Sequence, residues 1–172
     1  MFRALPPRPE GRGFTRKLMK IDRTWIQRHI PHQGTMCLLE AVKHWSDTDI
    51  QCHAHSHLAL DNPLRNAHGL PISAGIEYAA QAMAVHGALL APADQLPEVG
   101  YLTSVRNVEW WTPRLDDAGA ELTVQATRIS GNEVSLLYDF SILCNERLLL
   151  RGRAGVMIKP PAAPQNILAP RP

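Results

Sequence analysis

The sequence predicts an α+β domain in which an antiparallel sheet wraps around one long central helix. The helix is expected over residues 71–90, a segment that opens with proline, contains no internal proline and is apolar on nearly every face. Two strand-like runs precede this segment and four follow it; in residues 133–144 apolar and polar side chains alternate. With 172 residues, the chain has room for one domain with a real core.

The remaining elements follow from local signals. Asp22 can cap a short helix that ends before Pro31, because a residue that precedes proline avoids helical torsions. Two strands, at residues 36–45 and 49–57, form a hairpin across a polar turn. The strands after the long helix are expected at residues 99–111, 120–129, 133–144 and 147–158.

The two ends of the chain differ from the middle in composition. Residues 1–20 and 160–172 are rich in proline and small residues and lack a hydrophobic period. Such segments bury too little apolar surface to offset the entropy lost on ordering. We therefore expect disordered tails on either side of one domain at residues 21–159.

Composition also excludes several classes of protein. Eighteen Lys and Arg against sixteen Asp and Glu give a net charge of +2, too slight to indicate a nucleic-acid partner. Three cysteines without a Cys-x-x-Cys pair favour a reducing compartment over a disulfide framework. No run is long and apolar enough for a secretory signal or a membrane span, so we expect a cytoplasmic protein with no membrane partner.

Two local motifs resemble a known family. Residues 30–40, IPHQGTMCLLE, look like the segment that leads into the first strand of hotdog-fold β-hydroxyacyl-acyl-carrier-protein dehydratases. Residues 70–82, LPISAGIEYAAQA, resemble the start of their central helix, and the longer GIEYAAQAMAVHGAL is closest to the dehydratase-like proteins of aryl polyene gene clusters. By element order, the resemblance covers roughly residues 21–158.

The resemblance implies a fold, a reaction and partners. The fold would be a hotdog, with the long helix inside a six-stranded sheet. The reaction would dehydrate a 3-hydroxyacyl group, carried on the phosphopantetheine of an acyl carrier protein, to the trans-2-enoyl product without a metal or redox cofactor. The protein would work as a homodimer or as a heterodimer with another hotdog dehydratase.

Glu77 matches the catalytic acid of the family. Glu77 and Gln81 are four residues apart and therefore share one line on the helix. Burial on an apolar helix disfavours the ionised carboxylate and leaves an acid that can protonate the leaving hydroxyl. The alternative is a buried carboxylate that is satisfied by backbone donors or by a subunit interface.

The family's catalytic histidine is missing from the loop before the helix, where Asn62 or Pro63 stands instead. His57, His68 and His32 are possible substitutes, and Asn62 can orient a substrate or a water molecule. We take His68 as the candidate base because it is nearest to the helix in sequence. The alternative for His68 is a solvated loop histidine.

Further candidates for substrate binding surround the start of the helix. Backbone amides at Ile72, Ser73 and Ala74 can polarise a thioester carbonyl. Arg65 can contact the phosphopantetheine phosphate, although an exposed loop arginine is more often solvated. The substrate-binding candidates are Asn62, Arg65, Ile72, Ser73 and Gln81.

A metal site is not expected. His53, His55 and His57 alternate along a predicted strand and so point to one side, as ligands of some zinc sites do. The sequence offers no acidic or cysteine ligand at matching spacing.

Two other functions stay open. One is a thioesterase in which Glu77 activates water or attacks the thioester carbonyl. The other is a non-catalytic subunit whose sister chain supplies the missing histidine.

Overall fold

The computed structural model describes residues 20–92 and 99–159. A short helix α1 precedes a hairpin of strands β1 and β2, and a long helix α2 precedes four further strands. Their bounds are α1 Arg23–His29, β1 Ala41–Trp45, β2 Asp49–Ala54, α2 Gly75–Leu90, β3 Val99–Trp110, β4 Leu122–Gly131, β5 Ser135–Cys144 and β6 Arg147–Lys159.

The six strands form one antiparallel sheet in the order β1-β2-β4-β5-β6-β3. Helix α2 packs on one face of this sheet, chiefly against β4, β2 and β5. Its residues Tyr78, Ala79, Ala82 and Val85 are completely buried. This arrangement is the hotdog fold and confirms the predicted fold class.

Local sequence patterns explain several elements. Asp22 caps α1 by accepting a hydrogen bond from the amide of Trp25 at 3.1 Å, and the helix ends at His29, before Pro31, as predicted. Along β5 the alternation holds, because Tyr138, Phe140 and Ile142 are buried against the helix side.

Three predicted boundaries are wrong by three residues or more. The segment before β1 is not strand, because its backbone turns through a 3-10 helix at Gly34–Met36 and is then held by a side chain of α2. Strand β2 ends at Ala54, where a 3-10 helix at Ser56–Leu58 begins. The predicted start of the long helix is a 3-10 turn at Ile72–Ala74, and regular α-helix begins at Gly75.

The predicted tails lie, except for Lys20, outside the described residues. None of the helices within residues 20–92 and 99–159 is long and apolar enough to cross a membrane.

Candidate active site

Glu77 lies in the first turn of α2 and faces partly outward, with 32% of its side chain exposed. Its Oε1 atom accepts a hydrogen bond of 3.0 Å from Nε2 of Gln81, one turn further along the helix. The predicted shared line is therefore confirmed. The expected burial of Glu77 is wrong, because Glu77 lies on a face of α2 that is only partly covered, and its carboxyl group stays accessible.

Gln81 ties the helix to the segment that leads into β1. The side chain is completely buried. Its Nε2 donates to the carbonyl oxygen of Met36 at 2.8 Å as well as to Glu77, and its Oε1 accepts the amide of Leu38 at 2.9 Å. Both amide hydrogens are used inside the protein, so Gln81 positions Glu77 and has no donor left for a substrate.

His32 is the histidine that the fold brings to Glu77. Its Nε2 atom lies 3.0 Å from Oε1 of Glu77, and 27% of the His32 side chain is exposed. The other ring nitrogen, Nδ1, is shielded from solvent and has no hydrogen-bond partner in the described part of the chain. Among the nitrogens of this ring, Nε2 is therefore the one that can exchange a proton at the site.

His68 and His57 do not reach Glu77. His68 lies exposed in a tight turn, closed by hydrogen bonds between Asn66 and Gly69, and among the described residues its imidazole makes no hydrogen bond or ion pair. His57 is completely buried, its Nε2 atom lies 2.9 Å from the carbonyl oxygen of Ala118, and burial lowers its pKa. Proximity along the sequence was therefore a poor guide to the choice of His68.

Asn62, one of the two positions at which the resemblance places the family's histidine, stabilises the loop before α2. Its side chain is 5% exposed and donates to the carbonyl oxygen of Ser56 at 2.8 Å and to the hydroxyl of Tyr78 at 3.0 Å. The Oδ1 atom accepts the amide of Leu64 at 2.9 Å. Its polar groups are satisfied inside the protein, which leaves no amide hydrogen for a substrate.

Arg65 is also engaged within the chain. Its guanidinium donates to Asp116 at 2.8 Å and to the carbonyl oxygen of His57 at 3.2 Å. Two further hydrogen bonds reach Asp116 from Arg114, which lowers the pKa of that carboxyl group to about 2. In this arrangement Arg65 fastens the loop before α2 to the segment between β3 and β4, and it is not aimed at a phosphate in solvent.

The amides before α2 are less available than predicted. Ile72 donates its N–H to the carbonyl oxygen of Pro113 at 3.0 Å, and Ala74 donates to Pro71 at 3.0 Å, because a 3-10 turn and a bridge to the neighbouring loop form here. The expectation of three free amides is therefore wrong for Ile72 and Ala74. Ser73 is exposed, and its amide has no partner in the regions the structure describes.

A narrow apolar cleft begins at Ala80, one turn of α2 beyond Glu77. Ala80, Ala84 and Gly87 follow Glu77 at helical spacing and line one side of this cleft. Leu136, Tyr138, Val156 and Ile158 are among the residues on the other side, and the cleft has a volume of about 60 Å³. A Cβ atom at Gly87 would meet no atom within 4 Å, so the cleft is open at this point.

A buried polar pair adjoins the cleft, and sequence reasoning missed it. His86 on α2 is completely buried, with Nδ1 3.0 Å from the Tyr138 hydroxyl and Nε2 2.9 Å from the carbonyl oxygen of Ser46. Burial lowers the pKa of His86, so its ring is neutral, donates to Ser46 and accepts from Tyr138. The signal available in the sequence was a histidine in the second half of α2, where every other residue is apolar or glycine.

Comparisons with known proteins agree with this architecture. The model of the ApeP-like family, described as ApeP dehydratase, matches residues 24–169. The chain is similar to the dehydratase heterocomplex ApeI:P from Xenorhabdus doucetiae, with 27% sequence identity and a TM-score of 0.67 over 78% of this chain and 91% of that chain. No curated protein matches the sequence.

Thioesterases share the fold at lower identity. The thioesterase SAV0944 from Staphylococcus aureus is 19% identical, with a TM-score of 0.53 over 70% of this chain and 93% of that chain. The thioesterase PA1618 from Pseudomonas aeruginosa is 13% identical, with a TM-score of 0.53 over 70% and 81% of the two chains. These two likenesses concern the fold alone. The family match over residues 24–169, on a hotdog fold whose central helix carries Glu77 and Gln81, shows that the chain belongs to the ApeP-like dehydratase family.

Proposed function

We propose that this chain dehydrates a 3-hydroxyacyl group on an acyl carrier protein to the trans-2-enoyl product, with Glu77 as the acid and His32 as the base. The observation that carries the proposal is the 3.0 Å contact between His32 Nε2 and Glu77 Oε1 in an accessible site. His32 replaces His68 as the proposed base because His68 makes no contact with Glu77. The chemistry needs no metal or redox cofactor.

The proposed reaction balances within this pair of side chains. His32 Nε2 takes the proton from C2 of the substrate, and the electron pair left behind forms the C2=C3 double bond. The C3–O bond breaks as Glu77 gives its proton to the leaving hydroxyl, which departs as water. His32 then carries a proton and Glu77 is ionised. A proton transfer across the 3.0 Å contact restores the starting state.

Two features near the pair suit an acyl thioester. The apolar cleft along Ala80, Ala84 and Gly87 would take the acyl chain, and these three residues span about 10 Å of the helix at 1.5 Å of rise per residue. The free amide of Ser73, just before α2, would donate to the thioester carbonyl and stabilise the enolate. Carrier-bound thioesters are cytoplasmic substrates in this proposal, and the buried free cysteines fit a reducing compartment.

A site shared with a partner subunit is the second candidate. The similar ApeI:P structure is a heterocomplex. The resemblance places the family's loop histidine at Asn62 or Pro63, and neither of these residues can act as a strong base. Strand β3 is an edge strand and exposes Tyr101, Leu102 and Trp110. An edge of this kind can pair with another chain, either a second copy or another hotdog dehydratase.

Mass spectrometry of the carrier protein separates these functions. A 3-hydroxyacyl-carrier protein is incubated with this chain alone, and then with a hotdog dehydratase from the same gene neighbourhood. Loss of one water with the chain alone supports the His32–Glu77 pair, and loss of water only in the mixture supports the shared site. Release of free acid would favour a thioesterase, and an unchanged carrier protein in both samples would reject the proposal.

A further inference from the structure

Two histidines and two glutamates meet at one end of the sheet, and none of the four contacts Glu77 or His32. His53 is on β2 and points to the face opposite α2, because its neighbours Cys52 and Ala54 are buried. His55 follows the same strand. Glu40 and Glu121 directly precede β1 and β4, the two strands that pair with β2. The cluster is formed by three segments that are distant in sequence, so spacing alone did not reveal its acidic members.

The polar atoms of the cluster already lie close together. Nδ1 of His53 is 2.6 Å from Oε2 of Glu121, and Nδ1 of His55 is 2.9 Å from Oε2 of Glu40. Nε2 of His55 is 3.8 Å from the same Glu121 oxygen. One ligand atom each from Glu40, His53 and His55 can be chosen so that all three lie within 4.8 Å of one another.

This donor set suits a divalent transition metal. Imidazole nitrogen and carboxylate oxygen bind Zn²⁺ at about 2.0–2.2 Å, so the ligand atoms of a tetrahedral site lie about 3.3 Å apart. The distances between ligand atoms given above lie between 2.6 and 4.8 Å and so differ from that value by about 1.5 Å at most, which side-chain rotation can supply. The two carboxylates carry the charge that balances a divalent cation, and imidazoles favour zinc over magnesium or calcium.

The site is accessible to an ion from solvent. The side chain of His53 is 15% exposed, whereas those of Glu40, Glu121 and His55 are 36%, 39% and 48% exposed. Glu40 and His55 also border a surface cavity of about 250 Å³. The third histidine of the sequence pattern, His57, is buried elsewhere and is not a member.

We propose that Glu40, His53, His55 and Glu121 bind one zinc ion, or a similar divalent transition-metal ion, on the outer face of the sheet. The ion would replace the two histidine–glutamate hydrogen bonds and join the segment before β1, the end of β2 and the segment before β4. This inference is independent of the proposed dehydration, because none of the four residues contacts His32 or Glu77.

Zinc binding to the full-length, tag-free chain tests the proposal. Isothermal titration with zinc chloride should give one site, and zinc should raise the melting temperature. The double variant His53→Ala/His55→Ala should bind zinc at least about a hundredfold more weakly, since changes outside the ligand shell alone cost about 10–100-fold. The control His44→Ala, at an exposed histidine on β1, should bind as the unmodified chain does.

A second variant keeps the proposal testable if the alanine substitutions unfold the protein. Glu40→Gln/Glu121→Gln keeps the side-chain volumes, removes both charges, and should also weaken zinc binding by at least about tenfold. Circular dichroism checks that each variant is folded. If the alanine variant is unfolded, zinc binding by the glutamine variant tests the proposal. Absence of zinc uptake by the unmodified chain, or equal uptake by a folded double variant, would overturn the proposal. Zinc that is lost only in His32→Ala would place the ion elsewhere and overturn it as well.

Discussion

Gln81→Leu should strongly destabilise the protein, because the buried amide joins α2 to the segment before β1. Leucine has a similar size but no polar atoms, so the carbonyl of Met36 and the amide of Leu38 lose their partner at 2.8 and 2.9 Å. A buried polar group left unpaired costs about 1–3 kcal/mol, which gives about 2–6 kcal/mol for the two groups. Whole domains are stable by only about 5–15 kcal/mol.

Urea unfolding, followed by circular dichroism, measures this change in the free energy of unfolding. The matched control is Gln51→Leu, a half-buried glutamine on β2, which should shift that free energy by about 0.5 kcal/mol or less. The folded fraction of Gln81→Leu should also show a lower turnover number, because Glu77 loses a donor. A destabilisation below about 1 kcal/mol would refute the assignment of Gln81 as the anchor.

Three further predictions concern other parts of the molecule. Gly87→Leu fills the open part of the cleft and should lower the turnover of long acyl chains more than that of short ones, whereas Gly87→Ala should leave turnover nearly unchanged. An equal loss of turnover for all chain lengths would refute the assignment of the cleft as the acyl-chain site. Asp116→Asn should cost about 2 kcal/mol at neutral pH, because Arg114 holds the folded pKa of Asp116 near 2. The stability that ionised Asp116 contributes is present above about pH 4 and is lost as the pH falls towards 2. In urea unfolding, the difference in the free energy of unfolding between Asp116→Asn and the unmodified protein should therefore become smaller from pH 7 to pH 3. His68→Ala should leave dehydration within severalfold, and a loss as large as that of His32→Ala would restore His68 as the base.

The fold was predictable from the sequence because buried faces of strands and helices require apolar residues at regular spacing. The alternation along β5 and the apolar surface of α2 follow directly from which faces are buried. Asp22, as the N-cap residue, indicates the start of α1. The errors fall where tertiary contacts replace local ones. The segment before β1 has strand-like residues, but at Met36 and Leu38 its backbone is hydrogen-bonded to a side chain of α2, and pairing with β2 begins only at Glu40.

The candidate site was predictable in part. Glu77 and Gln81 come from one helix, so helical spacing was enough to bring them together. His32 is 45 residues from Glu77, and only the folded path after α1 shows that the two side chains meet. The same reason applies to Glu121, which is 68 residues from His53 and contacts it across two paired strands.

The most direct test of the account is the dehydration rate of two variants, Glu77→Gln and His32→Ala, measured by mass spectrometry on a 3-hydroxyacyl-carrier protein. Each assay uses the assembly in which the unmodified chain is active, alone or with its partner. Both variants should keep the fold and lose at least about a hundredfold in rate, because each removes one of the two proton-transfer groups. A near-normal rate for Glu77→Gln would remove Glu77 from the mechanism, and a near-normal rate for His32→Ala would show that the base comes from outside this pair.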